Sequence, residues 1–169
     1  MGVHDFSINP KIEDLKNLDK PSESEVLDAV KTLLRWTGDN PDRDGLKDTP
    51  KRVLKAYGEW FKGYEENPTE LLSKTFEEVQ GYNDWVVLDS IRVESYCEHH
   101  LAPIIGVAKV GYLPDGLVVG ISKLVRVVNA YSKRLQIQER LTREIGLAIH
   151  ETLNPKGVAV AIKAEHHCM

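Results

Sequence analysis

The sequence predicts an α+β fold. Three observations carry that prediction. Apolar residues recur at helical spacing in two N-terminal segments. They then switch to alternation at period two from Asp84 to Cys97. Beyond that point the order is strand, helix, helix, strand, so the whole chain reads as two helices, then strand, strand, helix, helix, strand. No internal repeat or low-complexity tract interrupts it, and 169 residues suit one domain with a real core and an N-terminal extension.

Taken in order, residues 1–20 are polar and aperiodic and predict an arm, with a helical region over 21–84 and a third region over 85–169. PSESEVLDAVKTLLRWTG predicts a helix. Ser22 and Glu25 fit a capping box, Val26, Val30, Leu33 and Leu34 fall on one face, and Gly38 stops it. A loop follows through DNPDRDGLKD. TPKRVLKAYGEWFKG predicts a second helix, with Thr49 as cap, Pro50 at the first helical position, a buried stripe of Val53, Tyr57, Trp60 and Phe61, and Gly63 at its end. The segment from Tyr64 to Asp84 predicts irregular chain with one turn after Pro68.

In DWVVLDSIRVESYC the alternation places Val87, Ile91 and Val93 on the face of Cys97, and Arg92 and Glu94 on the other. IIGVAKVGYLPDGLVVGI predicts a strand, a turn at Pro114-Asp115-Gly116 and a short return strand. A helix capped by Ser122 follows, with Leu124, Val127, Val128 and Tyr131 inward. The next helix turns Leu141, Ile145, Ile149 and Leu153 inward and ends at Asn154-Pro155-Lys156-Gly157, and VAVAIKAEHHC is the last strand.

The bulk properties exclude several classes. A net charge of -4 and a pI near 5.9 give no support to non-specific nucleic-acid binding, so no nucleic-acid partner is expected. The N-terminus has no apolar run, and Phe6 stands where a myristoylation signal wants Ser or Thr. No segment approaches a membrane span. Two cysteines without a secretory signal point to a reducing, cytoplasmic setting, where Cys/His patches read as metal or catalytic sites before disulfides.

Both cysteines and four of the six histidines fall in two patches, SYCEHHL and AEHHCM. Cys97 and His100 have the Cys-x-x-His spacing that lets one short loop supply two zinc ligands, and Cys168 is the other thiol. Three protein ligands leave a fourth position for water, the arrangement of catalytic sites. His99 and His166 are alternative fourth ligands, and counting donors leaves both arrangements open. On the terminal strand His166 and Cys168 share a face and His167 takes the other. The competing reading is two unrelated clusters of buried thiols and surface imidazoles. Glu139 near a helix start, and the basic pairs Arg52/Lys55 and Lys123/Arg126, each read singly as solvated side chains. Together with a Ser122-capped helix N-terminus, the basic pairs permit a polyphosphate site.

In combination these residues resemble the GTP cyclohydrolase type I family. The stretches that carry the resemblance are DTPKRVLKAY, SYCEHHLAP, GVAKVGYLP, GISKLVRVV, RLQIQERLT and AEHHCM, spread over residues 25–169, and CEHHLAP together with QIQERLT is highly specific. The resemblance implies a tunnelling fold over 85–169, with antiparallel strands and two helices packed on one face. It implies assembly into a homodecamer of two pentameric rings. It also implies zinc-dependent hydrolytic opening of the guanine imidazole ring of GTP, release of formate and reclosure to 7,8-dihydroneopterin triphosphate, the first step towards folate or tetrahydropterin. By matched positions Cys97, His100 and Cys168 are implied as zinc ligands and His99 and His166 as proton-transfer residues. Glu139 is implied to grip the guanine edge, with Gln138 assisting. Ser122, Lys123, Arg126, Arg52 and Lys55 are implied as triphosphate contacts, some reaching in from a neighbouring subunit. Family members continue past HCM with a further strand, a basic residue and a helix, whereas this chain stops at Met169, so the last region is incomplete by that pattern. The alternative expectation is a catalytically impaired, zinc-binding, purine- or pterin-binding subunit of a ring. A tunnelling-fold enzyme acting on a deazapurine fits less well, because Cys-x-x-His with a distant Cys suits zinc rather than a thioimide nucleophile.

Overall fold

A computed structural model describes residues 18–76 and 84–169. The arm expected over 1–20 therefore lies, up to residue 17, outside the described residues, as does the stretch 77–83 of the expected irregular segment. By its contacts the chain divides into two units, Met1–Glu59 and Trp60–Met169.

Among its described residues the first unit is helical. Helix α1 (Glu23–Trp36) begins with the predicted capping box. The Ser22 hydroxyl accepts from the Glu25 N–H at 3.4 Å, and the Glu25 carboxylate accepts from the Ser22 N–H at 2.8 Å. Gly38 follows the helix end in the left-handed region, at φ 91°. Helix α2 (Thr49–Trp60) starts one residue earlier than expected, so Thr49 is its first residue rather than its cap and Pro50 its second. The predicted apolar stripes are only half-covered. Val26, Leu27, Val30 and Leu34 are intermediate, but Leu33 is exposed. In α2 it is Val53, Leu54 and Ala56 that are intermediate, while Tyr57 and Trp60 are exposed and Pro50 alone is buried.

The second unit holds the core. After a 3₁₀ turn at Lys62–Tyr64, helix α3 (Pro68–Leu72) is the turn expected at Pro68, capped by the Asn67 side chain accepting from the Thr69 N–H. Strands β1 (Thr75–Phe76), β2 (Val86–Cys97), β3 (Pro103–Leu113) and β4 (Val118–Val119) come next, followed by helix α4 (Ile121–Ser132), strand β5 (Leu135–Gln136), helix α5 (Gln138–Leu153) and strand β6 (Gly157–His166). The main sheet has the order β5-β2-β3-β6. Neighbours β2/β3 and β3/β6 are antiparallel, and two-residue β5 runs parallel to β2. The return strand β4 pairs with β1, not with β3. Tyr112 helps to hold it, since its hydroxyl accepts from the Val119 N–H at 3.0 Å.

Both long helices lie on one face of this sheet. Leu124, Val127 and Val128 of α4 and Leu141, Ile145, Ile149 and Leu153 of α5 are fully buried, packed with Ile91, Val93, Val110 and Tyr112. Each such side chain contributes about 1.5–3 kcal/mol on full burial. Tyr131 is intermediate. Asn154 ends α5 in the left-handed region, at φ 43°. Two expectations need correction. Val87 is exposed, because Ser90 adopts φ 58° and the β2/β3 register shifts between Leu88 and Ile91. That bulge reverses the alternation, so the partly buried core-packed residues before it are Val86 and Leu88. Gly120, not Ser122, is the N-cap of α4, and no side chain caps it.

Arg134 ties the turn before α3 to the end of α4. Its guanidinium donates to the carbonyls of Gly63 at 2.9 Å, Ala130 at 3.1 Å and Glu66 at 3.1 Å, and lies over the rings of Tyr131 and Tyr64. Burial pushes the Arg134 pKa down, and burial with Glu144 nearby pushes the Tyr131 hydroxyl up to about 12.

The β3/β6 seam is the closest approach relevant to function. A Cβ on Gly106 would sit 2.1 Å from the Lys163 carbonyl oxygen and 2.6 Å from the Ala164 Cα. Gly106→Ala is expected to destabilise the fold by about 1–3 kcal/mol, the usual scale of overpacking. The check is a urea titration, in which the midpoint falls while the slope stays the same. A parental midpoint would show that the seam can give.

Candidate metal centre

Two chain segments meet at one end of the sheet. Tyr96 of β2 is paired with Pro103 of β3, and Ile104 of β3 with His166 of β6, so the ends of β2 and β6 flank the start of β3. The link from β2 to β3 is a tight loop. The Leu101 N–H donates to the Cys97 carbonyl and the Cys97 N–H to the Ala102 carbonyl, both at 2.8 Å, and Leu101 takes φ 56°. This loop presents His99 and His100 to solvent, while Cys97 is buried at the strand end. On the other side β6 ends at His166, so Cys168 lies in the turn beyond the strand. The His167 N–H anchors that turn to the Pro103 carbonyl at 3.0 Å. Burial still alternates, with His166 and Cys168 half-buried and His167 exposed.

The result is a donor set. One ligand atom each from Cys97, His100 and Cys168 lies within 4.8 Å of the others. Burial, and then the neighbouring Cys97 thiol, push the Cys168 thiol above its ordinary pKa. Two thiols and an imidazole converging this closely suit a borderline-soft divalent transition metal, which would hold both sulfurs as thiolates.

His99 and His166 stand beside this set. The His99 Nδ1 is 3.7 Å from the Cys97 Sγ, and its ring lies edge-on to that of His100. The His166 Nε2 is 2.9 Å from the Gln138 Oε1, and the Gln138 Nε2 donates to the Ile162 carbonyl at 3.1 Å. Glu139, next to Gln138 in the first turn of α5, is exposed. Ser122 and Arg126 are exposed and Lys123 half-buried on the first turns of α4, where Gly120 as cap leaves the helix N-terminus open. Arg52 and Lys55 belong to α2 in the first unit, exposed, with Arg52 3.8 Å from Asp48.

Sequence reasoning missed the residues that hold the loop. Gln136, fully buried on β5, donates from its side chain to the Tyr131 carbonyl at 3.1 Å and to Glu144 at 2.8 Å. Its carbonyl accepts from the Glu98 N–H at 3.1 Å. Arg140 donates to the Gln136 Oε1 and to the Leu135 carbonyl, each at 3.0 Å, and pairs with Glu98. The available signal was a carboxylate lying between two candidate ligands, with a cation in the nearby helix start.

Comparison with known proteins gives a consistent answer. The sequence model of the family described as GTP cyclohydrolase I matches residues 26–169. The chain is 59% identical over 150 residues to GTP cyclohydrolase 1 of Maricaulis maris (strain MCS10), covering 89% of this chain and 73% of that protein. The identity and coverage are the same for GTP cyclohydrolase 1 of Hyphomonas neptunium. For that of Brucella abortus (strain S19) the identity is 56%, covering 89% of this chain and 70% of the relative. No helix among the described residues is long and apolar enough to cross a membrane.

Proposed function

Because the chain belongs to the GTP cyclohydrolase I family, a family of hydrolases, we propose that it converts GTP and water to 7,8-dihydroneopterin triphosphate and formate, using zinc. The observation that carries this reading is the convergence of Cys97, His100 and Cys168 within 4.8 Å. In the proposal these three residues hold the ion, which would supply Lewis-acid activation of water at neutral pH.

The remaining roles follow from the chemistry of this chain's own groups. Opening the imidazole ring breaks the C8–N9 bond while the attacking water becomes the formyl oxygen, so both of its protons must leave and one must reach each of N7 and N9. Hydrolysis of the resulting formamide at C8 repeats the need. His99, beside Cys97, and His166, fixed through Gln138, flank the donor set and are the groups proposed to move these protons. Glu139 follows Gln138 on the helix that bonds His166. Its carboxylate would accept from both N1–H and the 2-amino group of guanine. Ser122, Lys123 and Arg126 at the open N-terminus of α4 would take the triphosphate. Arg52 and Lys55 are proposed as further triphosphate contacts, some of the five being supplied by a neighbouring subunit.

Assembly is proposed on separate grounds. Strand β6 is an unpaired edge of ten residues among the described elements, and Ile105 and Val107 are exposed on the sheet. Leu33 and Trp36 are exposed. A homodecamer of two pentameric rings would cover such surfaces. Light scattering should report a species of that order, and an active monomer would refute it.

For the metal, about one zinc per subunit is expected, with Cys168→Ala losing most of it. Elemental analysis after gel filtration checks this, and full occupancy in Cys168→Ala would remove Cys168 from the ligand set. Zinc uptake without GTP turnover, read as the fluorescence of the oxidised pterin, would favour the catalytically impaired, purine- or pterin-binding subunit instead.

Binding and chemistry should separate by residue. Glu139→Gln should weaken GTP binding by on the order of 1.5–3 kcal/mol, the range for a hydrogen bond to a charged group. His99→Ala or His166→Ala should retain zinc and slow turnover by roughly 10²–10⁴. Parallel measurement of zinc content and of turnover at saturating GTP decides between the roles. Loss of zinc in His99→Ala would make His99 a ligand.

A further inference from the structure

The loop that carries Cys97 and His100 is exposed at four consecutive residues, Glu98 to Leu101, yet it must hold two donors in fixed relation to Cys168 in the turn beyond β6. Its backbone bonds close the loop on itself and on β5. One further connection comes from a side chain. Glu98, between the two donors, is paired with Arg140 of α5. We propose that Arg140 is a positioning residue, which fixes the Cys97–His100 pair for the metal by clamping Glu98. This inference rests on the reading of Cys97, His100 and Cys168 as the metal-holding set.

An ordinary surface ion pair contributes little and would position little. This pair differs in the state of its cation. The Arg140 side chain is 11% exposed against 34% for Glu98, and before it reaches Glu98 it is already bound to the Gln136 Oε1 and the Leu135 carbonyl. Those acceptors belong to β5, which is paired with Tyr96 and Cys97 themselves. The guanidinium is thus preorganised on the scaffold that holds Cys97, and Glu98 is the more exposed partner brought to it. The planar fork explains why arginine stands here, because an ammonium is a point charge and cannot present that fixed donor geometry to β5 and Glu98 together.

The same clamp has a second consequence. Glu98 is adjacent in sequence to Cys97, and a free carboxylate there is a competent metal ligand. Its oxygens are not among the donors that converge within 4.8 Å, and one of them is engaged by Arg140. Arg140 therefore holds the two proposed ligands in place and keeps the intervening carboxylate out of the donor set, so the fourth position stays open.

The test uses the full-length protein and zinc alone, with zinc dissociation constants measured by competition with a chromogenic chelator. Thermal midpoints of the metal-free proteins are measured in parallel. Glu98→Gln and Arg140→Met should each weaken zinc binding by about 10–100-fold, the scale for partners that orient ligands. The double variant should be no weaker than the weaker single variant, and Arg140→Lys should fall between parent and Arg140→Met. Glu98→Gln lies in an exposed loop and should leave the metal-free midpoint unchanged, which separates positioning from general stability even if Arg140→Met folds poorly. Parental zinc affinity in Glu98→Gln overturns the inference, and so do additive losses in the double variant. A parent that takes no zinc overturns the reading of the site itself, whereas a parent that binds zinc beside variants that match it overturns the clamp alone.

Discussion

Two sulfur atoms in distant parts of the chain can share an ion only if the strands that carry them end side by side. Strand β3 enforces this. Its first residues pair with the end of β2 on one side and the end of β6 on the other, as Tyr96↔Pro103 and Ile104↔His166. A slip of one residue on either seam would turn the outgoing side chains to the opposite face and separate Cys97 from Cys168. The packing of α4 and α5 on one face resists such a slip, because Ile91, Val93 and Val110 would leave the core with it. The cost of disturbing the donor set is thus carried by residues outside it, and Gly106 belongs among them because its lack of a side chain lets β6 lie close to β3.

The first turn of α5 is where the two halves of the site are joined to the scaffold. Gln138 bonds His166 and the Ile162 carbonyl on the β6 side. Arg140 pairs with Glu98 on the β2–β3 side. Glu139 lies between them in sequence and is exposed. A carboxylate proposed to hold guanine therefore stands on the same rigid turn that fixes one proposed proton-transfer imidazole and one ligand loop. Motion of that turn would change substrate placement, imidazole orientation and loop geometry together. Functional groups carried by a buried helix with four fully covered apolar residues are better fixed than the same groups on a free loop.

Much of this was legible in the sequence, for physical reasons that differ by element. The α5 stripe, the alternation of β6 and the Ser22 capping box are local patterns, and local patterns survive folding. The pairing of Cys97 and His100 with Cys168 was readable because thiols are scarce in this chain. The phase of β2 before the bulge was not readable, because Ser90 at φ 58° carries no mark that sets it apart from any other serine. Strand β5 escaped because two residues have no periodicity, and its pairing is with a segment far away in sequence. The cap of α4 was misread because a serine one residue inside the helix resembles one at its boundary. The Glu98–Arg140 clamp was missed for the same reason as β5. The cue present, a carboxylate between two candidate ligands, does not say which cation of another element it meets.

In the proposed site the donor set would also couple protons to metal in a definite direction. Burial and the neighbouring Cys97 raise the Cys168 pKa in the metal-free fold, so the thiol form is the favoured one. A group whose folded-state pKa is raised contributes stability that is present below its unfolded pKa and lost as pH rises through the folded value. In the metal-free protein, alkaline conditions therefore work against the fold at this site. A divalent cation held as proposed would reverse the sign, because it would bind thiolates and compensate their mutual repulsion, so its affinity would grow over the same pH range. The geometry that makes the two sulfurs poor neighbours as anions makes them good ligands together. The Glu98–Arg140 pair leaves that relation undisturbed, since within it the carboxylate and the guanidinium offset each other's charge beside the loop.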